Sequence, residues 1–570
     1  SDAMTAAIFY HPQASSTTGP KLMGRNAAGE SFLRGFLQHS RAERFAVQVM
    51  DRAHGQSFAD FAQSFDRKEP VAVVDKSNLG SLRAHGVVYH PGPGIADHAR
   101  QRSFWGHEAW SLCGITHTTS SARAMDSVAQ LVTAPVQPWD ALICTSSAVK
   151  KNVEFLLECE ADYLRDRLGA SRTVLPKLQV IPLGIHTEDF VFGAAERVAA
   201  RRALSIADDT LVVMFMGRLS FHAKAHPLPM YLALEEAARR SGKSVTLIEC
   251  GWHGNESIQR AFEQGAAKLC PSVHTVTLDG RKAEERGKAW AAADVFCSLS
   301  DNIQETFGIS PIEAMAAGLP VVVSDWDGYK DTVRHGVDGF RVPTIMPRAG
   351  LGGDLALRHA LEVDTYDMYI GHACSLTAVD VEATTSAFIA LFESEDLRRK
   401  MGTAGLTRAR EVYDWARIIP QYEDLWAELN EERKRAADGT VTKSSWPARP
   451  DPFAAFEAYP THVLTEASHL EATASDVVAL CAQVEAMRTL AMINFAKLVQ
   501  PTPDEVRLVL ATAVKGSTRA VDLVRDIAAE RRAQVFRGLG WLLKVGVLKL
   551  TDTAVVNPVQ PAKTDAAKLA

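Results

Sequence analysis

Short apolar runs that alternate with helical patterns constrain the fold of this chain more than any other feature. The runs are continuous and rich in β-branched residues, which indicates strands covered on both faces, as in parallel sheets. Helical patterns between such strands are typical of βαβ units. The runs form two series, at Ala7–Tyr10, Ala46–Val49, Val87–Tyr89, Ala141–Cys144 and Gln179–Ile181, and then at Leu211–Met216, Val245–Ile248, Thr275–Leu278, Val295–Cys297 and Val321–Val323. The sequence therefore predicts an α/β protein with two Rossmann-like domains that face a cleft.

Changes in composition predict where these domains begin and end. The two series part near residues 190–205, and a helical pattern runs from Val381 to Lys434. Residues 346–356 contain Pro and several Gly and predict a loop insertion, and residues 438–460 have the Pro, Ser and Gly content of a linker. We expect a first domain at 4–195, a second at 196–412, a terminal helix at 413–437 that packs back on the first domain, a linker at 438–460 and a mostly helical extension at 461–556.

The extension has a pattern of two helices followed by a strand, which loosely resembles a winged helix. Ser517 is expected to cap the first helix, Lys544 to end the second, and Val547–Leu550 to form the strand. The chain has a net charge of -6, so we expect no nucleic-acid partner. The basic residues of the second helix then form a solvated face, at Arg531, Arg532 and Arg537. We expect a packing or dimerisation module, and hence a homo-oligomer formed through the extension.

Cysteine usage and hydropathy indicate the cellular environment in which the chain is expected to fold. None of the eight cysteines falls in a CxxC pair, so a zinc knuckle or a redox motif is not indicated. Several lie in apolar runs as reduced thiols would, and we expect a cytoplasmic protein. No run approaches the ~18 apolar residues of a membrane span. Peripheral contact with a membrane stays open.

The segment Glu305–Gly318 carries the densest functional signal. It separates the strand that ends near Leu299 from the strand at Val321–Val323, and Pro311 suits the first turn of a short helix between them. Glu305 therefore lies in a loop at the carboxyl end of a strand. Ligands of open α/β sheets bind at this edge.

The start of this helix has the chemistry of a phosphate site. The backbone N–H groups of Gly308, Ile309 and Ser310 face outward there, and a helix start attracts phosphate through its free donors and its dipole. Glu313 lies about one turn further on, where a carboxylate can accept hydrogen bonds from two vicinal hydroxyls. A glutamate near a helix start is also common for structural reasons.

Two basic residues follow the first strand of the second series. Arg218 comes directly after that strand and Gly217, and Lys224 follows six residues later. Arginine offers a planar fork for phosphate, and lysine offers a mobile point charge. Two cations close to a diphosphate can stabilise its departure when a bond to it breaks. Both residues would otherwise be solvated surface charges.

From Leu178 to Trp426 the chain resembles glycosyltransferase family 4, a family of retaining transferases with the two-Rossmann-domain GT-B fold. One matching feature is Glu305 followed eight residues later by Glu313. The other matching stretches are Val180–Ile185, Gly217–Lys224, Gly318–Val322 and Asp331–Phe340.

The resemblance implies a role for each matching residue of the second domain. Arg218 and Lys224 resemble the diphosphate clamp, although the family more often has one residue fewer between them. Glu305 resembles the carboxylate that contacts the donor sugar, and Glu313 the one that holds the ribose. The remaining donor-binding positions are backbone phosphate donors at Gly308 and Ile309 and a seat for the base at Gly280 and Arg281.

The first domain matches the family less closely. The run Ile115-Thr116-His117 closes an apolar strand, and His117 resembles the family's inter-domain histidine near the donor sugar. Gly29 begins a predicted helix after the first strand and resembles the family's Gly-rich first loop. Gly24 is the rival for that role. A histidine at a strand end is also often only a structural hydrogen-bond partner.

The sequence Asp325-Trp326-Asp327 has the form of the D-x-D metal motif of another glycosyltransferase fold. It follows a strand after the helix of Glu313, where family 4 has a turn near the nucleotide sugar. Cations at Arg218 and Lys224 can offset the charge of a diphosphate. We therefore expect no metal and no cofactor.

These observations predict a metal-independent, retaining glycosyltransferase of the hexosyltransferase type. Its donor would be a UDP- or GDP-sugar and its acceptor a hydroxyl compound that the sequence does not identify. The first alternative is a scaffold or sensor subunit that binds a nucleotide sugar without turnover. A second is another reaction of this fold, such as epimerisation or phosphorolysis.

Overall fold

The computed structural model of the chain describes residues 5–12, 24–436 and 446–551. These residues form two compact units, divided between Trp446 and Pro447. The predicted linker at 438–460 lies outside the described residues as far as residue 445. The predicted limits at residues 4, 437 and 556 lie outside them as well.

The first unit begins with a seven-stranded parallel sheet in the order β3-β2-β1-β4-β5-β6-β7. All residues of β2, β4, β5 and β6 are buried, which is why their sequences are mainly apolar. The sequence analysis missed β3. The strands are β1 (Ala7–Phe9), β2 (Phe45–Gln48), β3 (Val71–Val74), β4 (Val87–Tyr89), β5 (Ser111–Ile115), β6 (Ala141–Cys144) and β7 (Lys177–Val180).

Helices cover both faces of this sheet, at α1 (Gly24–His39), α2 (His54–Gln63), α3 (Ala96–Arg102), α4 (Ala122–Ala129) and α5 (Ser147–Leu168). A fully buried ion pair ties α3 to the start of β6. The guanidinium of Arg102 donates to the two carboxylate oxygens of Asp140 at 2.6 and 2.8 Å. The same carboxylate accepts a hydrogen bond from the backbone of Leu112 in β5. Asp140 thus holds one helix and two strands together.

A second parallel sheet follows, six strands in the order β10-β9-β8-β11-β12-β13. The five predicted strands are confirmed, and β13 was missed. The strands are β8 (Leu211–Met216), β9 (Val245–Gly251), β10 (His274–Asp279), β11 (Val295–Ser298), β12 (Val321–Ser324) and β13 (Gly339–Val342). The helices of this domain are α6 (Ala194–Ala203), α7 (Leu228–Ser241), α8 (Glu256–Leu269), α9 (Ala283–Ala292), α10 (Ser310–Ala316) and α11 (Tyr329–Thr332). The predicted fold class, two Rossmann-like domains with a helical extension, is confirmed.

A helical hairpin follows the second sheet, between strands β14 (Thr344–Ile345) and β15 (Ala378–Val379), which pair antiparallel. The loop predicted at 346–356 is correct as far as Gly352, after which the chain forms α12 (Gly353–Ala360) and α13 (Tyr366–Ser375). Two further helices, α14 (Val381–Glu393) and α15 (Glu395–Arg408), and a π-helical turn at Ala409–Tyr413 lead to α16 (Trp415–Ala436).

Helix α16 carries the chain back to the first sheet. Its buried side chains Trp415, Tyr422 and Trp426 belong to the same core cluster as Phe36 of α1 and Tyr89 of β4. The rings of α16 pack edge-on or tilted, for example Tyr422 against Tyr89 at 5.8 Å between centroids. The two Rossmann-like domains are therefore joined by a helix that belongs to the core of the first.

The second unit is a small helical body with a three-stranded antiparallel sheet in the order β17-β16-β18. The strands are β16 (His469–Ala472), β17 (Thr518–Arg519) and β18 (Leu548–Leu550), and the helices are α17 (Pro452–Ala455), α18 (Val477–Arg488), α19 (Ala491–Asn494), α20 (Pro503–Ala513), α21 (Ala520–Leu523) and α22 (Arg532–Lys544). Leu470, Val509 and Leu539 are among its fully buried core residues.

The expectation that Ser517 caps a helix is wrong. The two residues after it pair with β16, a strand distant in sequence, and α21 then runs only from Ala520 to Leu523. The hydroxyl of Ser517 instead shares a hydrogen bond with that of Thr551 at 2.7 Å. Tertiary pairing overrides the local capping signal here.

None of the helices in the described part of the chain combines the length and the apolar character that a membrane crossing requires.

Candidate functional site

Two loops at the carboxyl edge of the second sheet bring Lys224 and Glu305 into contact. Lys224 follows β8 and Glu305 follows β11, and these strands are neighbours in the sheet. The ammonium of Lys224 donates to Oε2 of Glu305 at 2.9 Å, and the two side chains are 24% and 11% exposed. The extra residue between Arg218 and Lys224 therefore does not keep the lysine from reaching Glu305.

Glu313 lies in the first turn of α10, near enough to Lys224 for the charge of the lysine to act on it. Burial raises the pKa of Glu313 to about 7, and the nearby positive charges of Arg286 and Lys224 act in the opposite direction. Arg286 also donates to the backbone oxygen of Gly280 at 2.9 Å. The arginine whose charge acts on Glu313 is thus Arg286 of α9, which no motif in the sequence had marked.

The start of α10 is fixed against the sheet by close packing. Gly308 has a φ of +82°, and a Cβ there would overlap the buried ring of Tyr329, so only glycine fits. The hydroxyl of Ser310 donates to the carbonyl oxygen of Met216 at the end of β8, at 3.1 Å. Ile309 provides no side-chain cap. The predicted amide-lined helix start therefore lies beside the end of β8, two residues before Arg218.

Arg218 borders a neighbouring pocket. Arg218 is exposed, and the pocket is lined also by Leu219, His226, Met230 and Glu249 among others. Of the predicted site residues in the described chain, Arg218 alone lines this pocket. Arg218 thus follows the end of β8 beside this site and borders a pocket that neither Lys224 nor Glu305 lines.

The floor of that pocket contains a buried carboxyl group that the sequence analysis missed. Glu249 in β9 is 3% exposed, and its Oε2 accepts a hydrogen bond from the hydroxyl of Tyr231 at 2.8 Å. Burial raises the pKa of Glu249 to about 7. A single glutamate inside an apolar strand gives no sequence signal by which to recognise it.

Gly280 and Arg281, the predicted seat of the base, lie in the turn after β10. A Cβ at Gly280 would come within 2.7 Å of the backbone of Gly251, so this turn needs glycine for its close approach to β9. The guanidinium of Arg281 is half exposed and bonds to Asp279 of its own turn, with Nε 3.0 Å from Oδ1. In this structure Arg281 holds the turn.

The first domain contributes His117, in the loop after β5. Its Nε2 is 2.7 Å from the carbonyl oxygen of Pro91, in the loop after β4. Gly29 is not placed as expected. Helix α1 spans Gly24–His39, so Gly29 lies inside the helix and not in a loop at its start. Gly24, the rival position, also lies in this helix.

The start of α5 in the first domain packs directly against the loops of this site. The hydroxyl of Thr145 donates to the carbonyl oxygen of Thr306, next to Glu305, at 3.2 Å. Ser146, the cap of α5, donates to Oδ1 of Asp327 at 2.8 Å. The Lys224–Glu305 pair therefore lies where the two Rossmann-like domains meet.

Both aspartates of the D-x-D sequence contact other side chains of the protein. Asp325 pairs with Arg341, with Nε to Oδ1 at 3.2 Å, and Asp327 accepts from Ser146. Burial raises the pKa of Asp327 to about 7, and the negative charge of Glu305 adds to this. No group of three His, Cys, Asp or Glu side chains among residues 5–12, 24–436 and 446–551 is arranged to hold a metal ion.

Residues 196–347 match the sequence profile of the family described as glycosyl transferases group 1. This range includes Lys224, Arg286, Glu305 and Glu313. In this region the chain is similar to the group 1 glycosyltransferases. The resemblance to glycosyltransferase family 4 is thereby confirmed.

Two of the relatives to which the chain is similar are D-inositol 3-phosphate glycosyltransferases. That of Geodermatophilus obscurus is 28% identical over 305 residues, which cover 50% of this chain and 55% of the relative. That of Corynebacterium urealyticum is 31% identical over 289 residues, 49% of this chain and 65% of the relative. The chain spans about half the length of the curated relatives it matches.

Among solved structures, the chain is similar to Anabaena HepE in complex with UDP. The two are 16% identical in sequence, the match covers 74% of this chain and 100% of the HepE chain, and the TM-score is 0.49.

Proposed function

We propose that this glycosyltransferase moves a sugar from a nucleoside diphosphate sugar to a hydroxyl acceptor, with retention at the anomeric carbon and without a metal ion. The observation that carries the proposal is the contact between Lys224 and Glu305, with Glu313 facing the same lysine, inside the group 1 region. A cation and two carboxylates converge there beside an amide-lined helix start. This is the set of groups that a diphosphate and a polyhydroxyl sugar need.

In this proposal each group meets one part of the donor. The backbone N–H groups of Gly308 and Ile309 bind the diphosphate, and Lys224 turns from Glu305 onto its oxygens. Glu305, released from the lysine, accepts hydrogen bonds from the sugar hydroxyls, and Glu313 holds the ribose. A carboxyl group with a pKa near neutrality, as at Glu313, can both accept and donate hydrogen bonds to a diol.

Arg218 completes the clamp after a change of rotamer. Its backbone lies two residues beyond Met216, to which the start of α10 is bonded, so its long side chain can turn from the neighbouring pocket onto the diphosphate. Two cations then stabilise the leaving diphosphate, which takes the proton of the attacking hydroxyl. Arg218→Ala should lower kcat/KM by at least ~100-fold, about 2.7 kcal/mol. A variant with nearly the wild-type rate would remove Arg218 from the clamp.

The direct test is titration calorimetry with a panel of UDP- and GDP-sugars in the presence of EDTA, followed by transfer assays. The acceptor panel should include inositol phosphates, since curated relatives carry that substrate in their names. We expect one donor to bind and to be consumed only when an acceptor is present, and proton NMR of the product to show the anomeric configuration of the donor. Binding without turnover would favour a scaffold, nucleotide release without acceptor would favour another reaction, and an inverted product would refute retention.

A further inference from the structure

Helix α13 of the hairpin bonds to the first domain through one hydroxyl group. Tyr366, its first residue, has its phenol oxygen 2.7 Å from the hydroxyl of Ser120 and 3.3 Å from that of Thr118. The hydroxyls of Thr118 and Ser120 are themselves 3.0 Å apart. Three hydroxyl groups from the two Rossmann-like domains thus form one hydrogen-bonded triad.

The triad holds the middle of the loop that carries His117. Within the first domain this loop is tied at its ends and through His117. The backbone of Thr116 donates to the carbonyl oxygen of Ile143 at 2.9 Å, His117 contacts the carbonyl oxygen of Pro91 at 2.7 Å, and Ser121 caps helix α4. Thr118 and Ser120, the two partners of Tyr366, lie between His117 and Ser121. Tyr366 therefore adds the tie from the second domain to the part of the loop that follows His117.

A neighbouring face of α13 packs on the loop that carries Lys224. Oδ2 of Asp367 lies 3.3 Å from Nε2 of His222. Gly371 approaches His222 so closely that a Cβ there would lie 3.3 Å from the Cβ of His222. The thiol of Cys374 lies 3.6 Å from the carbonyl oxygen of Phe221. One helix therefore touches the loops of both His117 and Lys224.

We propose that α13 is a positioning element that sets the His117 loop against the Lys224–Glu305 pair, and that the hydroxyl of Tyr366 is the group through which it acts. This inference rests on the proposed sugar transfer. The helix touches neither donor nor acceptor in this account. It fixes how the first domain meets the donor-binding loops, so it affects the chemical step more than donor binding, because the donor is held by the second domain.

The test is Tyr366→Phe, which removes one oxygen atom and keeps the ring. We expect kcat for transfer to fall about tenfold, the equivalent of losing one hydrogen bond of ~1.4 kcal/mol, while the KM for the donor changes less than about twofold. Ser120→Ala should have a similar effect, and Ser120→Thr, which keeps a hydroxyl, should restore most of the rate. The double variant Tyr366→Phe/Ser120→Ala should be no slower than either alone, since both remove one interaction.

Tyr369→Phe is the matched control, since this tyrosine lies on the same helix and stacks on His359 at 4.0 Å. It should leave kcat unchanged. An equal loss in Tyr369→Phe and Tyr366→Phe, or a loss that follows the melting temperature across the variants, would assign Tyr366 a structural role only and overturn the inference. A wild-type kcat in Tyr366→Phe would overturn it as well.

Hydrogen exchange separates this inference from the proposed function. Tyr366→Phe should increase amide exchange in residues 116–121, and Tyr369→Phe should not, whether or not the wild-type chain transfers a sugar. Unchanged exchange in that segment would contradict the positioning role even if transfer is observed. A wild-type chain without transfer, but with the expected change in exchange, would refute the proposed function and leave the contact intact.

Discussion

Replacing Lys224 by methionine should separate the structural and the chemical parts of the site. The change keeps the length of the apolar stem and removes the charge that contacts Glu305 at 2.9 Å. It leaves the Glu305 carboxylate, 11% exposed, close to the negative charge of Asp327. Two different losses follow, one in stability and one in rate.

The loss in stability comes from the unpaired carboxylate. Breaking a fully buried pair costs about 3–5 kcal/mol, but Lys224 is a quarter exposed and water reaches the pair, so we expect about 1–2 kcal/mol. The loss in rate comes from the missing positive charge at the diphosphate. Removing one such group from a transition state costs about 10²–10³ in kcat, or about 2.7–4 kcal/mol.

Thermal unfolding and steady-state transfer kinetics measure these two losses. The double variant Lys224→Met/Glu305→Gln removes the unpaired charge, so it should regain most of the stability and none of the rate. The control is Lys330→Met, which loses an exposed lysine whose ammonium lies 3.9 Å from Asp325 and should change neither quantity. If Lys224→Met keeps more than about a tenth of the rate, or if the double variant recovers it, the pair is structural and the proposed chemistry is refuted.

Three further predictions concern the free energy of unfolding. Gly308→Ala should cost about 2–5 kcal/mol, because it combines a positive φ with overpacking. Gly318→Ala should cost about 1–2 kcal/mol, because Gly318 has a φ of +80° but open space around it. Equal losses in thermal unfolding would refute the packing argument. The pKa of Glu249 is raised to about 7 in the folded chain from an ordinary 4.5, so the buried carboxyl group destabilises the fold increasingly as pH rises through this window. The free energy of unfolding of the wild type relative to that of Glu249→Gln should therefore fall by on the order of 3 kcal/mol between pH 4.5 and 7. A difference between the two proteins that does not change with pH would contradict this prediction. Asp140→Asn leaves the buried Arg102 without a counter-charge and should cost about 3–5 kcal/mol in urea unfolding, whereas a loss below about 1 would show that water enters the site.

The sequence predicts the sheets well for a physical reason. Strands buried on both faces need continuous apolar residues, and this pattern marks β8, β9, β11 and β12 without any knowledge of their neighbours. The missed β3 and β13 are edge strands that are only partly buried, so their residues carry less of that pattern.

The candidate site is predictable where one short segment carries the signal. Glu305, Gly308 and Glu313 lie within nine residues, and the helix start that positions them follows from Pro311. Lys224 comes from a neighbouring strand end, and its contact with Glu305 follows from the order of the strands. Their roles in donor binding remain predictions.

Contacts between elements that are distant in the sequence could not be predicted. Arg286 meets Glu313 because α9 packs beside β8 and β9, and Tyr366 meets Ser120 because the hairpin reaches the other domain. No local pattern encodes either approach. Gly29 was misplaced for a related reason: the residues from Gly24 onward also belong to the helix, so Gly29 lies inside it.

A crystal structure with a bound nucleoside diphosphate tests the central claim most directly. We predict phosphate oxygens within about 2.7–3.2 Å of the amide nitrogens of Gly308 or Ile309 and of the ammonium of Lys224, with Glu313 on the ribose. Arg218 should have turned out of its pocket toward the phosphates. A diphosphate bound elsewhere, with Lys224 still on Glu305 and Arg218 still beside Glu249, would contradict the account.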